Sequence, residues 1–341
     1  MKNHLMTPGK LLNEKGNIRE PGYSFTLNQE YSRSDIKTSG WRIKEWDYYY
    51  VGDDDYGIGI TIDDNGYMGL TGITFLDFKN KSYFNKADMY WFCFGKVGMP
   101  STSETGDISK ITKNFKTYFY NDNGDRKIVL EVKNAKDKKD FYLEVKLTQT
   151  TDKTMVIATP FNKAKHFYYN QKINLLKVDG YFKFGDLEHK FERNAYGCLD
   201  WGRGVWTYKN TWFWSSMSGE YYGNRIGFNL GYGFGNTEAA SENMFFFNDE
   251  AFKLDDVDFG IPVDENGKDD FSKPWHFTSK NGDIDMIFEP IVNRKDGTNV
   301  LILMQDTNQV FGRYSGKIKV GDREFKFENM TGFAEKVKSR W

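Results

Sequence analysis

The sequence has little of what would define several protein classes. It holds two cysteines, Cys93 and Cys198, in 341 residues. Two thiols build neither a disulfide framework nor a four-thiolate zinc site, and both read as small buried apolar residues. The four histidines, His4, His166, His189 and His276, lack metal-ligand spacing, so no metal site and no cofactor is expected. No run of about 18 apolar residues occurs, so no helix should span a membrane. The opening MKNHLMTPGK has no apolar stretch of the signal-peptide kind, which points to a cytoplasmic protein. Charge of one sign is also missing: 47 Lys plus Arg stand against 48 Asp plus Glu. No overall basic field exists to hold a nucleic acid. Gly-x-Ser-x-Gly elbows and short-period repeats are absent. The oligomeric state is not legible.

Aromatic residues, by contrast, reach 17%, with 29 Phe, 21 Tyr and 9 Trp. They supply bulk for a large core, a large pocket, or both. Asn-Gly occurs at Asn65-Gly66, Asn123-Gly124, Asn266-Gly267 and Asn281-Gly282, and Asp-Gly at Asp179-Gly180 and Asp296-Gly297. Such dipeptides tolerate the positive φ that tight hairpins require. Their flanks alternate: Ile58, Ile60 and Ile62 before one turn, and Phe141, Leu143, Val145 and Leu147 against Tyr142, Glu144, Lys146 and Thr148 elsewhere. Period two with few prolines predicts an all-β chain, sandwich or barrel, and barrels remove exposed edges. NAKDKKD, residues 134–140, reads as a charged hairpin tip. The best short helix candidate is Phe333–Trp341. A length of 341 residues fits about two domains. A seam is placed within Lys172–Gly180, giving domains 1–176 and 177–341.

The densest chemistry lies in LDWGRGVWTYKNTWFW, residues 199–214. As one strand from Val205 onward, it would put Trp206, Tyr208, Trp212 and Trp214 on one face. Gly202 and Gly204 around Arg203 suggest a bulge or a close backbone approach. Asp200 beside an aromatic wall would be pushed toward its protonated form, and the wall could shield a cation. The competing reading is structural. Trp and Arg often plug one end of a small barrel, and Asp200 with Arg203 would then be an ion pair that fixes geometry. Further along, Glu242-Asn243 enters the apolar run Met244–Phe247, so the carboxylate needs a partner, for which Arg203 or Arg225 is available. The glycines of GFNLGYGFGN fit no phosphate-binding loop. In KHFYYNQKIN, Tyr169 and Lys172 are better ligand-contacting candidates than His166.

Several blocks, in order, resemble a mainly bacterial family, the domain of unknown function 2804. They are LLNEKGNI and GYSF within Leu11–Phe25; Trp46, Asp47 and Tyr48 in KEWDYYYV; and Phe167, Tyr169, Lys172, Asn174 and Gly180. The residue 199–214 block, Glu242-Asn243, Lys273-Pro274-Trp275 and GFAEKVKSRW follow. The family is distantly similar to carotenoid 1,2-hydratases and tocopherol cyclases, and the wider group includes pericyclase-like enzymes. The resemblance implies two tandem lipocalin-like (calycin) antiparallel β-barrels with few short helices, and an apolar pocket. No acid of those enzymes matches this chain residue by residue.

Three functions are compatible with these residues. One is an enzyme that hydrates or cyclises an apolar, isoprenoid-like or lipid substrate. Asp200 or Glu242 would be its acid, and Arg203, Lys172 or Tyr169 would orient that group. Trp46, Trp201, Trp206, Tyr208, Trp212, Trp214 and Asn243 would contact the ligand. The second is a carrier of an apolar small molecule, using the same aromatics without a reaction. The third is a carbohydrate-binding or carbohydrate-active protein, since Trp and Tyr stack on sugars.

Overall fold

A computed structural model describes residues 3–300 and 303–340. It is nearly all β. Its only helical elements among the described residues are two single 3-10 turns, Arg33–Asp35 and Gly40–Arg42. The hairpin chemistry acts as expected at Asn123-Gly124. There φ is +50° and +95°, and the turn joins Phe115–Asp122 to Asp125–Lys136. Asn65-Gly66 and Asn281-Gly282 also sit between consecutive strands. The charged tip turns at Asp137 and Lys138, both at positive φ. Two expected turns are strand interior instead. Asp296-Gly297 lies inside Ile284–Val300, and Asp179-Gly180 inside Phe167–Phe184. At Gly180 a Cβ would lie 2.2 Å from the Glu144 carbonyl oxygen, so glycine is needed there for close strand approach rather than for reversal. The C-terminal segment expected as a helix is strand Arg323–Arg340. Ladders on both sides, to Lys209–Tyr221 and to Leu303–Val320, hold it extended; Trp341 is outside the described residues.

Two large antiparallel sheets, each curled toward a barrel, account for most of the chain. The first runs in the order Ser82–Trp91, Met68–Asp77, Tyr56–Asp64, Ile43–Gly52, Tyr196–Val205, Phe167–Phe184, Lys139–Gln149, Asp125–Lys136, Phe115–Asp122, Ile108–Ile111. Its two ends meet through side chains. The Thr71 and Thr117 hydroxyls hydrogen-bond across the interior at 2.8 Å, and Asp88 accepts from Thr112 and Asn114. The second sheet runs Glu250–Lys253, Met244–Phe247, Asn224–Tyr232, Lys209–Tyr221, Arg323–Arg340, Leu303–Val320, Ile284–Val300, Trp275–Ser279, Val257–Asp258. The chain changes sheet between Val205 and Lys209. The 176/177 division falls inside strand Phe167–Phe184, which carries ladders on both sides.

Both interiors are packed with side chains. Ile58, Ile60, Ile62, Leu130, Leu143 and Leu147 fill the first, and Phe228, Trp275, Phe277, Phe288 and Tyr314 the second. The outer faces of the two sheets then meet, forming a third buried layer. Strand Tyr196–Val205 shows this best: all ten of its residues are buried, because one face lines a barrel and the other meets the second barrel. Asn174 clamps the layer. It sits in an irregularity of the ladder between Ile173 and Leu176, next to Leu175 at φ +58°. Its amide nitrogen donates to the Ser216 hydroxyl at 2.9 Å and to the Phe228 carbonyl at 3.0 Å, both on the opposite barrel. Removing a buried donor leaves those acceptors unsatisfied at about 1–3 kcal/mol. Asn174→Ala should therefore lower unfolding free energy by about that amount in a urea titration. A variant within about 0.5 kcal/mol of the parent would show that the clamp is not an important docking contact.

Candidate functional site

The chemistry collects in the layer between the barrels, and strand alternation decides which residues reach it. On the first barrel, Tyr48, Asp200 and Lys172 are successive cross-strand partners and form one row. On the second barrel, Glu335, Trp214 and Gly231 form a row in the same way. The rows face each other. Lys172 Nζ lies 2.8 Å from Asp200 Oδ2 and 3.8 Å above the Trp214 ring, and the Tyr48 and Trp214 rings meet edge to face at 5.9 Å. Asn170 Nδ2 donates to Asp200 Oδ1 at 2.6 Å. Gly231 leaves room for Glu242: a Cβ there would stand 2.5 Å from Glu242 Oε1. Asn229 links the parts, accepting from Trp214 Nε1 at 2.7 Å and donating to the Glu242 carbonyl and carboxylate.

Above these rows stands an aromatic wall. Trp46 stacks on Tyr168 with ring centres 6.0 Å apart and abuts Trp206, which in turn meets Trp212 and Phe234. The wall depends on Gly202. A Cβ at that position would fall 1.9 Å from the Trp46 indole, so the glycine provides the close approach that the sequence suggested. The ladder on the Trp46 side runs through it without a bulge. Trp212 Nε1 donates to Glu335 Oε1 at 2.9 Å.

Three carboxyl groups therefore share this layer with Lys172. Burial pushes the Glu242 carboxyl up, with the charge of Asp200 adding to the rise and that of Lys172 opposing it. Glu335 is raised from the usual 4.5 to about 7, mainly by burial, against the Trp212 hydrogen bond and the Lys172 charge. Lys253 also opposes the rise at Glu242 and Arg294 that at Glu335, but burial outweighs both. The layer is not sealed. The Asp200 side chain is 11% exposed against 4% for Lys172, and Glu242, Trp46 and Trp212 are half-buried. A cleft of about 170 Å³ between the barrels has Cys198 and Ser216 in its lining but none of the three carboxyl residues; Cys198 lies on the same strand face as Asp200.

Not every residue singled out from the sequence joins this cluster. Residues 200 and 203 have opposite parity, so Asp200 and Arg203 point to opposite faces and do not pair. Arg203 faces the first barrel's interior. It donates to Asp47 Oδ1 at 3.0 Å and to the Pro100 carbonyl, and lies 4.2 Å over the Trp201 ring. Tyr169 packs edge-on to Trp201 and donates to the Gln29 carbonyl. Arg203, Trp201 and Tyr169 thus pack together inside the first barrel, without the Asp200–Arg203 pair that the structural reading expected. Arg225 pairs with Asp249, so neither arginine is the partner expected for Glu242. Asn243 accepts from the Gly231 N–H and donates to the Asp255 carbonyl, fastening the loop beside Glu242. The segment 205–214 is not one strand: a break at 206–208 leaves Tyr208 42% exposed, while Trp206, Trp212 and Trp214 still reach the layer. Sequence reasoning missed Glu335, Asn229, Tyr168 and Phe234. For Glu335 the usable signal was its shared parity with Phe333 and Val337, apolar positions of one strand face.

The raised Glu335 has a thermodynamic signature. Between pH about 4.5 and 7 the folded protein keeps a proton that the unfolded chain releases, so stability falls as pH rises through that window. A shift of this size is worth roughly 3 kcal/mol. Glu335→Gln should flatten that part of the stability profile and be more stable than the parent at pH 8. Parallel profiles for parent and variant would mean that the carboxyl is not held neutral.

The family described as "Domain of unknown function (DUF2804)" matches residues 2–341. No curated protein matches the sequence significantly. Two solved structures share the layout. A protein from Nitrosomonas europaea given the name AttH superposes with a TM-score of 0.54 at 11% identity, over 92% of this chain and 98% of that one. Kievitone hydratase from Nectria haematococca gives 0.52 at 12% identity, over 98% of each chain. These likenesses establish the fold: two tandem calycin-like barrels.

Proposed function

The chain belongs to the DUF2804 family, and from that premise we propose that it is an enzyme that protonates an apolar, unsaturated small molecule between its two barrels. One observation carries the reading: an aromatic wall stands over an ion pair and two carboxyl groups pushed toward their neutral form. A carboxyl neutral near pH 7 is a general acid, and tryptophan faces stabilise the cation that alkene protonation creates. Kievitone hydratase has this fold, and hydration is a reaction these groups can perform.

In that reaction Glu335 donates its proton to an alkene carbon, with Trp212 holding its other oxygen. The carbocation forms against Trp212 and Trp46, the Trp214 ring being engaged by the Lys172 ammonium. Water adds to it, and the Asp200 carboxylate, oriented by Lys172 and Asn170, takes the proton that the water loses. Loss of a neighbouring C–H proton to Asp200 instead would give isomerisation, and attack by a second double bond would give cyclisation. Glu242, fixed by Asn229, is the second proton-holding group.

The substrate need not be identified before the test. Molecules extracted from purified protein, and a panel of prenyl alkenes, are incubated with it in D2O and analysed for deuterium at carbon. The parent should label or convert at least one. Glu335→Gln and Asp200→Asn should each be slower by about 10²–10⁴-fold. Since the acid form is needed, the rate should fall as pH rises through about 7, and Glu335→Gln should lose that dependence. A bound molecule recovered unchanged, with no labelling, would favour a carrier.

A further inference from the structure

Five of the large apolar side chains exposed on the described surface, Trp41, Met89, Trp91, Phe92 and Ile111, fall in one region of the first barrel, each more than half exposed. The region is built from the end of edge strand Ser82–Trp91, the 3-10 turn Gly40–Arg42, the Asn65–Tyr67 hairpin and the end of strand Ile108–Ile111. Trp41 is its centre. It stacks on Tyr67 with ring centres 6.2 Å apart and meets Phe92 and Phe94 edge to face at 6.3 and 5.1 Å. Beside it, Met68–Trp91 and Leu70–Met89 are cross-strand pairs.

The backbone is strained in a way that presents these rings. Phe92 and Phe94 have φ of +57° and +47°, a region that bulky residues rarely enter. They are held there by hydrogen bonds from their N–H groups to the Tyr67 and Gly66 carbonyls, and by the buried Asp64 carboxylate, which accepts from the Gly95 N–H at 2.7 Å. Without a binding role, a turn here would be expected to bury such rings or to carry glycine.

The charge around the rings says what covers them. Lys96 and Lys113 are exposed on the segments that build the patch, and Lys110 lies over Tyr90. Three nearby carboxylates are withdrawn: Asp63 and Asp64 are buried, and Asp88 is engaged by Thr112 and Asn114. Exposed Trp and Phe ringed by lysine suit an anionic bilayer surface, where rings enter the headgroup region and cations meet lipid phosphates. The patch also adjoins the layer between the barrels. Arg42, next to Trp41, donates to the Trp206 carbonyl, and Trp206 belongs to the aromatic wall.

We propose that this face docks on an anionic lipid membrane and that the substrate is drawn from the bilayer into the layer between the barrels. The docking stands on the patch alone; the substrate class rests on the function proposed above. The experiment is cosedimentation of the purified chain with vesicles of phosphatidylcholine and phosphatidylglycerol in equal amounts, against pure phosphatidylcholine. The parent should bind the anionic vesicles more tightly, and less so as salt rises. Taking each inserted aromatic ring as about tenfold in affinity or more, W91S/F92S should bind roughly 100-fold more weakly. Tyr222→Ser, at an exposed aromatic elsewhere, should bind like the parent, and circular dichroism with thermal unfolding establishes that both variants are folded. Absence of parent binding, or equal binding by W91S/F92S, overturns docking. A concentration-dependent dimer in sedimentation that W91S/F92S abolishes also overturns it, in favour of a second copy as the occupant. No turnover is read, so failure here is distinct from failure of the proposed reaction.

Discussion

The structure depends on the meeting of two outer sheet faces. A curled sheet normally buries one face and wets the other, which gives the alternating pattern seen in Phe141–Leu147. Where the barrels touch, strands Ile43–Gly52 and Tyr196–Val205, and the first ten residues of Phe167–Phe184, lose their wet face. Polar residues on those faces must then find partners within the layer. Lys172 and Asp200 do so as cross-strand neighbours on adjacent strands, with the Trp214 ring as a third contact. The cost of burying charge is thus met inside the seam, and the same dryness raises Glu242 and Glu335. Docking of the barrels and perturbed acidity have one physical origin.

Side chains packed into both barrels leave the seam as the place for the proposed chemistry. Lipocalin-like barrels can hold ligands inside, but here aliphatic and aromatic side chains occupy both interiors. The Arg203–Trp201–Tyr169 cluster adds a polar plug to the first. The composition that left open whether aromatics line a cavity or fill a core is thereby divided: phenylalanines dominate the second barrel's interior, while tryptophans gather between the barrels.

The fold class was legible because hairpin dipeptides and period-two alternation are local properties. Asn123-Gly124 shows the local rule working, and Asp179-Gly180 shows its limit, since a glycine needed for strand approach has the same dipeptide signature as a turn. Asp200, Lys172, Glu242 and the tryptophans Trp46, Trp206, Trp212 and Trp214 were legible as a concentration of unusual residues. Their pairing was not. Assigning Arg203 to Asp200 used nearness in sequence, whereas parity in a strand separates residues 200 and 203 across the sheet. Glu335 stayed hidden because its partners, Trp212 and the field of Lys172, lie over a hundred positions away.

The two halves of the proposed acid–base pair come from different barrels. Asp200 and Lys172 belong to the first, while Glu335 and Glu242 belong to the second. The separation of Asp200 from Glu335 is set by how the barrels dock, since both sit on strands, whereas Glu242 lies on the loop before Met244–Phe247. Contacts that fix docking, such as Asn174 to Ser216 and Phe228, would therefore position the proposed acid–base pair without touching it. Gly202 acts in the same way, since the place of the Trp46 ring fixes the thickness of the wall at that point. An interface serving as an active site must be rigid enough to hold proton donor and acceptor in register, yet open enough to admit a ligand. The half-buried Glu242, Trp46 and Trp212, beside the almost fully buried Lys172, show the layer graded in that way from edge to centre. The ion pair is among the least exposed parts of the layer, and the half-buried Trp46 and Trp212 offer the proposed substrate an apolar approach.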